Sequence, residues 1–319
     1  MNIINLTSSD LARVEACSEF CAALAELGQQ SLNTLTPDKF IPNSPQEQDS
    51  VQLKQHKDDS LCQFYIQKVW KTIIDRVVAI MDATFAVHVL LKGVPNGKES
   101  RTGLSSVILA RSTLDMALSA AYHLDGDFDE RFMKACASVM AEARQNQLAM
   151  ESLDPTASHL VSHQNKTEYK AARAEAIRQG YELDEKGEVK IFECPKVVGI
   201  CKKSSEGGVE KKVTLEPNTL ELAKKYGSPW ASFSWRLGSG VTHGRIWSIA
   251  AVQESLEAGD SGGLPYLMAT TIVREAVYIL ANSLATYTLQ RNHLIQFDDI
   301  AFRFHQQLAG WFPDSDNNE

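Results

Sequence analysis

Long stretches in which apolar residues recur at three- and four-residue steps constrain this chain more than any other feature. They cover residues 60 to about 91, about 99 to 124, 128 to about 153, and 264 to about 294. This spacing places the apolar side chains on one face of a helix. The first three stretches are separated by short turn sequences, and short loops favour antiparallel neighbours. The sequence therefore predicts an all-α fold built as an antiparallel helical bundle.

Composition divides the chain into an N-terminal helix, a polar connection, two helical halves and an insert. Residues 1–28 are predicted to form the N-terminal helix, with Gly28 placed to end it. Residues 29–59 turn polar and contain three prolines, which is typical of a linker or mobile loop. The first helix is therefore expected to pack remotely or on a partner protein. The helical halves are residues 60–155 and 217–319.

The insert, residues 156–216, is predicted to be small and irregular or a β-hairpin that decorates the bundle. Residues 168–179 have the composition of a surface helix, and residues 188–198 alternate weakly, as a short strand does. Residues 202–212 are rich in Gly, Ser, Lys and Glu and favour an exposed loop. The lysines of this loop, Lys202, Lys203, Lys211 and Lys212, could contact phosphates.

Charge and cysteine content narrow the classes of function. The net charge is −8 and the isoelectric point is about 5.6, so no global basic field indicates a nucleic-acid binder, although a local basic site is allowed. No apolar run is long and uncharged enough to predict a membrane segment, and the first ten residues lack the pattern of a secretory signal. Six cysteines are scattered without the spacing of a disulfide scaffold or a zinc knuckle. We expect a reduced, cytoplasmic protein without a metal or a cofactor.

The segment 234–245 carries the residues with the clearest chemical potential. Arg236 and His243 are seven residues apart, close to two helical turns, and Ser239 falls between them on the same stripe. A neutral histidine can take a proton from a hydroxyl near neutral pH, and an arginine can hold a phosphate and offset developing charge. Together these residues suit metal-free cleavage of an RNA phosphodiester by its neighbouring 2′-hydroxyl.

A second polar feature lies on the helix predicted over residues 99–124. Arg111 and Asp115 are one turn apart within an otherwise apolar stripe. Buried charges are rare unless paired, so one interpretation is an ion pair that fixes the register of the bundle. The other is that both residues face Arg236 and His243, with Asp115 orienting the imidazole and Arg111 holding an anion.

These two segments resemble a known group of proteins. Residues 235–244 resemble the Tyr-Arg-x-Leu-Ser-x-x-x-His-Gly segment of a widespread group of bacterial helical proteins, and residues 110–115 resemble its upstream Arg-Ser-x-Leu-Glu helix. The interval from Arg236 to His243 also fits the Arg-x(4 to 6)-His motif of HEPN domains. The resemblance implies a HEPN-like helical core, dimerisation, and a metal-independent endoribonuclease of a toxin or phage-defence system. Its site would be Arg236 and His243 with Arg111, Asp115 and Ser239.

An alternative stays open, since many HEPN-like domains act as binding modules without catalysis. In that case the Arg, His and Asp residues form a buried polar network in a scaffold protein. Weaker candidates are His159 and His163, which have metal-ligand spacing but are predicted to be solvent-exposed. The aromatic residues around the motif, Trp230, Phe233, Trp235 and Trp247, could stack on bases, although such density on a helix favours a core position.

Overall fold

The computed structural model describes residues 8–32, 35, 41–93, 102–153, 158–189, 192, 194–204, 208–242 and 264–309. The described residues form ten helices and one three-stranded antiparallel sheet, which confirms the predicted all-α fold with a small insert. The helices are α1 (Ser8–Leu32), α2 (Pro45–Gln55), α3 (Ser60–Gly93), α4 (Thr102–Leu124), α5 (Phe128–Leu153), α6 (Ser158–Arg178), α7 (Thr219–Tyr226), α8 (Ala231–Thr242), α9 (Leu264–Thr288) and α10 (Asn292–Ala309). The strands, all between α6 and α7, are β1 (Glu182–Val189), β2 (Cys194–Lys203) and β3 (Val209–Thr214).

The chain divides into two compact units, each built from segments that are far apart in the sequence. The first unit is Met1–Ile41, Ile73–Tyr122 and Thr219–Glu319, and the second is Pro42–Thr72 and His123–Asn218. The division falls inside α3 and near the end of α4. The predicted first helical half, residues 60–155, is therefore shared between the units. The predicted insert forms only part of the second one.

In the first unit, α1 packs against α9 and α10, and α8 packs against α7 and α9. Phe20 of α1 stacks on Phe304 of α10 with ring centroids 4.1 Å apart. The hydroxyl of Ser18 lies 3.0 Å from Nδ1 of His88 in α3, and a Cβ added at Gly28 would lie 2.5 Å from Met81 Cγ. The N-terminal helix is therefore a part of this unit, contrary to the expectation that it packs remotely.

In the second unit, α2 lies within the segment predicted as a linker. Ser44 begins this helix, because its hydroxyl accepts from the backbone N–H of Glu47 at 3.1 Å while Glu47 accepts from the N–H of Asn43 at 2.7 Å. The first bond is that of an N-cap, and the second ties Glu47 to the residue before the cap. The buried side chains of α2 are polar, Gln46 and Asp49. A helix with so few apolar contacts has no periodicity that a sequence-based prediction can detect.

The sheet corrects two local predictions about the insert. Its strand order is β1-β2-β3, with both pairs antiparallel. The strand predicted over residues 188–198 instead spans the end of β1 and the start of β2. The loop predicted over residues 202–212 begins and ends in paired strands, with Lys202 opposite Lys211.

The lysines of these strands have acidic partners in the structure. Lys202 forms an ion pair with Asp129 of α5, and Lys211 forms one with Asp127. Lys212 pairs with Asp184 across the sheet at 2.7 Å, and Lys203 pairs with Glu182. These pairs neutralise the lysines that the sequence suggested for phosphate contacts.

All six cysteines are buried free thiols. Within the described ranges, every helix is too short or too polar to cross a bilayer.

Candidate functional site

The candidate site is built where α8 meets α4. Gly238 of α8 is buried against the side chain of Arg111 in α4. A Cβ at position 238 would lie 2.8 Å from Cδ of Arg111 and 2.9 Å from its Cβ. The absence of a side chain at Gly238 therefore allows the helix backbone to approach Arg111 closely.

Arg111, Asp115 and Trp235 form a closed cluster around this contact. Arg111 forms an ion pair with Asp115 one turn further along α4. Its guanidinium carbon lies 4.6 Å from the centroid of the Trp235 ring, within the range of a cation–π interaction. The indole N–H of Trp235 donates a hydrogen bond to Oδ1 of Asp115 at 3.2 Å. The three side chains thus hold α4 and α8 together through ion pairing, stacking and hydrogen bonding.

Burial separates the two charged members of this cluster. The side chain of Arg111 is 8% exposed, whereas that of Asp115 is 44% exposed. Nε of Arg111 is buried and has no hydrogen-bond partner within the described ranges. A guanidinium that is covered, stacked and paired in this way is poorly placed to bind a phosphate from solvent. Arg111 instead packs between α4 and α8, against Trp235 and the backbone at Gly238.

Arg236 lies on a different face of α8. It follows Trp235 directly, so it leaves the helix about 100° further around the axis. Its side chain is exposed and makes neither a hydrogen bond nor an ion pair with any residue that the structure describes. Ser239 is half-buried, three residues further along. The structure thus groups Arg111 and Asp115 with Trp235 and presents Arg236 on a solvent-facing side of the same helix.

His243 follows Thr242, the last described residue of α8, and lies outside the described residues, as does Trp247. The distances from the imidazole to Arg236, Arg111 and Asp115 therefore stay predictions. The hydroxyl of Thr242 donates to the carbonyl oxygen of Gly238 at 2.8 Å.

Two aromatic residues on α8 and its approach correct the prediction of core positions. Trp230 is 66% exposed and Phe233 is 58% exposed, with ring centroids 6.3 Å apart in an edge-on arrangement. Trp230, Phe233 and Arg236 follow one another at three-residue steps. We call this surface the α8 stripe. It combines two flat apolar rings with one cation, which is the combination that binds unpaired bases and phosphates.

The start of α8 is fixed by a buried carboxylate of α9. Glu275 is 3% exposed, and its Oε1 accepts from the backbone N–H of Ser228 at 2.6 Å while Oε2 accepts from the Ser228 hydroxyl at 2.8 Å. The Ser228 hydroxyl also accepts from the backbone N–H of Trp230 at 3.2 Å. These bonds orient the segment that carries Trp230 and thereby the beginning of the α8 stripe.

The structure bears on two groups of possible metal ligands, of which only the second was not predicted from the sequence. His163 is exposed, as predicted, and the side chain of His159 lies outside the described residues. His56, Asp59 and Cys62 come together between α2 and α3, in the second unit. The three-residue spacing of His56, Asp59 and Cys62 is the sequence signal for this group. It was missed because residues 29–59 were predicted to be a linker.

Comparison with known proteins adds no family to this geometry. No family model matches the chain, and no curated protein or solved structure shows significant similarity to it. The HEPN-like assignment therefore depends on the sequence resemblance alone.

Proposed function

We propose that this protein is a HEPN-like, metal-independent endoribonuclease of the toxin or phage-defence type. The observation that carries the proposal is the α8 stripe, in which Arg236, exposed and without an ion-pair partner among the described residues, follows two exposed aromatic side chains. Exposing Trp230 and Phe233 to water has a cost that a stacking ligand would remove. Single-stranded RNA offers both the bases that stack on these rings and the phosphate that Arg236 would bind.

In this mechanism His243 transfers protons, and Arg236 stabilises negative charge. The neutral imidazole accepts the proton of a ribose 2′-hydroxyl as that oxygen attacks the adjacent phosphorus. The bond from phosphorus to the 5′-oxygen breaks, a 2′,3′-cyclic phosphate forms, and the departing 5′-oxygen takes a proton from the imidazolium or from water. Arg236 stabilises the negative charge that develops on the phosphoryl oxygens. Ser239, three residues after Arg236, has a supporting role beside Arg236 and His243.

Arg111 and Asp115 contribute by positioning rather than by contact with RNA. They hold Trp235, the residue before Arg236, through the stacking and hydrogen-bonding contacts of the cluster. Loss of that hold is expected to lower the cleavage rate by misplacing Arg236. This assignment differs from the sequence-based expectation of Arg111 as a phosphate anchor, because its guanidinium is already paired and covered.

The test is cleavage of end-labelled single-stranded RNA in excess chelator. Wild-type protein is expected to cleave, and His243→Ala is expected to abolish cleavage while leaving the circular dichroism spectrum unchanged. Arg236→Ala is expected to reduce the rate at least about 100-fold, a loss in the range for one charge-stabilising group. Arg303→Ala, at an exposed arginine of α10, is the matched control and should cleave at the wild-type rate. Unchanged cleavage by His243→Ala, or no cleavage of any RNA by the wild type, contradicts the proposal.

A second candidate is a non-catalytic binding or scaffold protein of the same fold. It is favoured by the Arg111 cluster, whose buried guanidinium and tight contact at Gly238 also suit a purely structural network. Under this candidate His243→Ala lowers the melting temperature, because a polar partner is left unsatisfied, and no variant affects RNA.

The proposal includes a homodimer in which two copies of the motif face each other, a cytoplasmic location and RNA as the partner. Sedimentation velocity tests the dimer directly. A monomer at micromolar concentration that still cleaves RNA would remove dimerisation from the proposal.

A further inference from the structure

The turn between α2 and α3 brings three different metal-binding side chains together. His56 is the C-cap of α2, Asp59 directly precedes α3, and Cys62 lies in the first turn of α3. One donor atom from each, an imidazole nitrogen, a carboxylate oxygen and a thiol sulfur, lies within 4.8 Å of the other two. In a tetrahedral zinc site with bonds of about 2.0–2.3 Å, neighbouring donor atoms are about 3.3–3.8 Å apart. We therefore expect small side-chain rotations to bring the three donor atoms to these distances.

Backbone hydrogen bonds hold these three residues in position without using the imidazole or the thiol. The N–H of Asp59 donates to the carbonyl oxygen of His56 at 2.9 Å, and the side-chain amide of Gln63 donates to the same oxygen at 3.1 Å. The backbone N–H of Cys62 donates to Oδ1 of Asp59 at 3.0 Å. These bonds hold the turn and the Asp59 carboxylate in place, while the imidazole and the thiol take no part in them.

The imidazole of His56 and the thiol of Cys62 are available for a metal. Neither makes a hydrogen bond to a residue in the described ranges, and Cys62 is 1% exposed while His56 is half-buried. The buried thiol of Cys62, beside a carboxylate and an imidazole, thus lacks a hydrogen-bond partner among the residues that the structure describes. A divalent ion would supply one and would displace the thiol proton to solvent on binding.

One cation already competes for this site. Nη2 of Arg178 donates to Oδ2 of Asp59 at 2.6 Å, and the same guanidinium is also held by both carboxylate oxygens of Glu175. The Arg178 side chain is 48% exposed, so it can leave Asp59 while it keeps Glu175. Binding of a metal to Asp59 is therefore expected to be weakened by Arg178 and strengthened by its removal.

We propose that His56, Asp59 and Cys62 bind a divalent transition ion of the Zn²⁺ class, with water as the fourth ligand. A mixed set of nitrogen, oxygen and sulfur donors selects such ions over Mg²⁺ and Ca²⁺, which prefer oxygen alone. The site belongs to the second unit and uses none of the residues assigned to RNA cleavage. Metal binding at this site is independent of the proposed ribonuclease activity. A bound ion would join the end of α2 to the start of α3.

The experiment is titration of the metal-free full chain with Co²⁺, followed by absorption spectroscopy. A thiolate-to-cobalt charge-transfer band in the near ultraviolet and visible bands of tetrahedral strength are expected, and Zn²⁺ should abolish both. Cys62→Ala should remove the charge-transfer band, whereas Cys194→Ala, at a buried cysteine of β2, should retain it. His56→Ala should weaken binding at least about tenfold, and His163→Ala should not change it.

Two further results distinguish a metal-binding site from a chance grouping of these three side chains. Arg178→Gln is expected to tighten Co²⁺ binding, because the competing cation is lost. Wild-type protein without a charge-transfer band, or a band that persists in Cys62→Ala, overturns the proposal. Circular dichroism of each variant shows whether a lost band reflects a lost ligand or a lost fold. Should Cys62→Ala fail to fold, Co²⁺ binding at least about tenfold weaker in folded His56→Ala still supports the site, and an unchanged affinity there refutes it.

Discussion

The buried ion pair between Arg131 of α5 and Asp49 of α2 gives the sharpest test of the second unit. The two side chains are 1% and 3% exposed. Nε of Arg131 donates to Oδ2 of Asp49 at 3.0 Å and Nη2 donates to Oδ1 at 2.6 Å, a bidentate arrangement. The guanidinium also donates to the backbone carbonyl oxygens of Pro45 and Gly126. This single side chain therefore joins the first turn of α2, the α4–α5 turn and α5.

Replacement of Arg131 by Met keeps most of the volume and removes every one of these bonds. Asp49 is then buried without its partner, and breaking a buried pair in this way costs about 3–5 kcal/mol. We expect the free energy of unfolding of Arg131→Met to fall by that amount. The double variant Arg131→Met with Asp49→Leu should recover much of the loss, because an apolar pair of similar volume no longer leaves a charge uncompensated.

Urea unfolding followed by circular dichroism measures the loss, and amide hydrogen exchange by mass spectrometry locates it. Exchange is expected to accelerate first in α2, since that helix has few apolar contacts of its own. Arg303→Met, at an exposed arginine of α10, is the control and should change stability by less than about 0.5 kcal/mol. A loss below about 1 kcal/mol for Arg131→Met, or additive effects in the double variant, would refute the reasoning.

Three further predictions concern the cap, the helix contact and the effect of acid. Gly238→Ala is expected to lower the free energy of unfolding, measured by urea unfolding, by up to about 2 kcal/mol. Overpacking against Arg111 costs about 1–3 kcal/mol, which outweighs the gain of about 1 kcal/mol in helix propensity. Glu275→Gln should cost about 1–2 kcal/mol by the same assay, since an amide cannot accept both hydrogen bonds from Ser228. The pKa of Asp59 is lowered, chiefly by a backbone hydrogen bond from α3, so its contribution to stability is present above about pH 4 and lost as the pH falls through the folded-state pKa. The difference in free energy of unfolding between wild type and Asp59→Ala should therefore shrink as the pH falls from 5 to about 3. A constant difference would contradict the lowered pKa of Asp59.

Sequence patterns predicted the elements that bury apolar faces. The helices α3, α4, α5 and α9 carry wide apolar stripes, and their presence was confirmed close to the predicted ranges. The helix α2 was missed because its buried residues, Gln46 and Asp49, are polar. Polar contacts with α5 leave no apolar periodicity in the sequence. The sheet was seen only as a weak strand or hairpin, because pairing between β2 and β3 depends on partners that a local pattern does not identify.

The candidate site shows the same division. The interval of four residues between Arg111 and Asp115 was sufficient to predict an ion pair. Trp235 was not predicted as their third member, because it comes from a helix 120 residues further along the chain. Exposure of Trp230 and Phe233 was predicted wrongly, since a residue's type shows what it would bury and not whether a partner helix covers it.

The proposed function is cleavage of RNA at the α8 stripe, with the 2′-hydroxyl of the RNA as the nucleophile. The most direct measurement compares two matched oligoribonucleotides in excess chelator, one of them with a single 2′-deoxyribose on the 5′ side of the principal cleavage position. We predict that the deoxy substitution blocks cleavage there and that the unmodified substrate yields a 2′,3′-cyclic phosphate and a 5′-hydroxyl. Equal cleavage of both substrates, or cleavage that appears only when a divalent metal is added, would contradict the account.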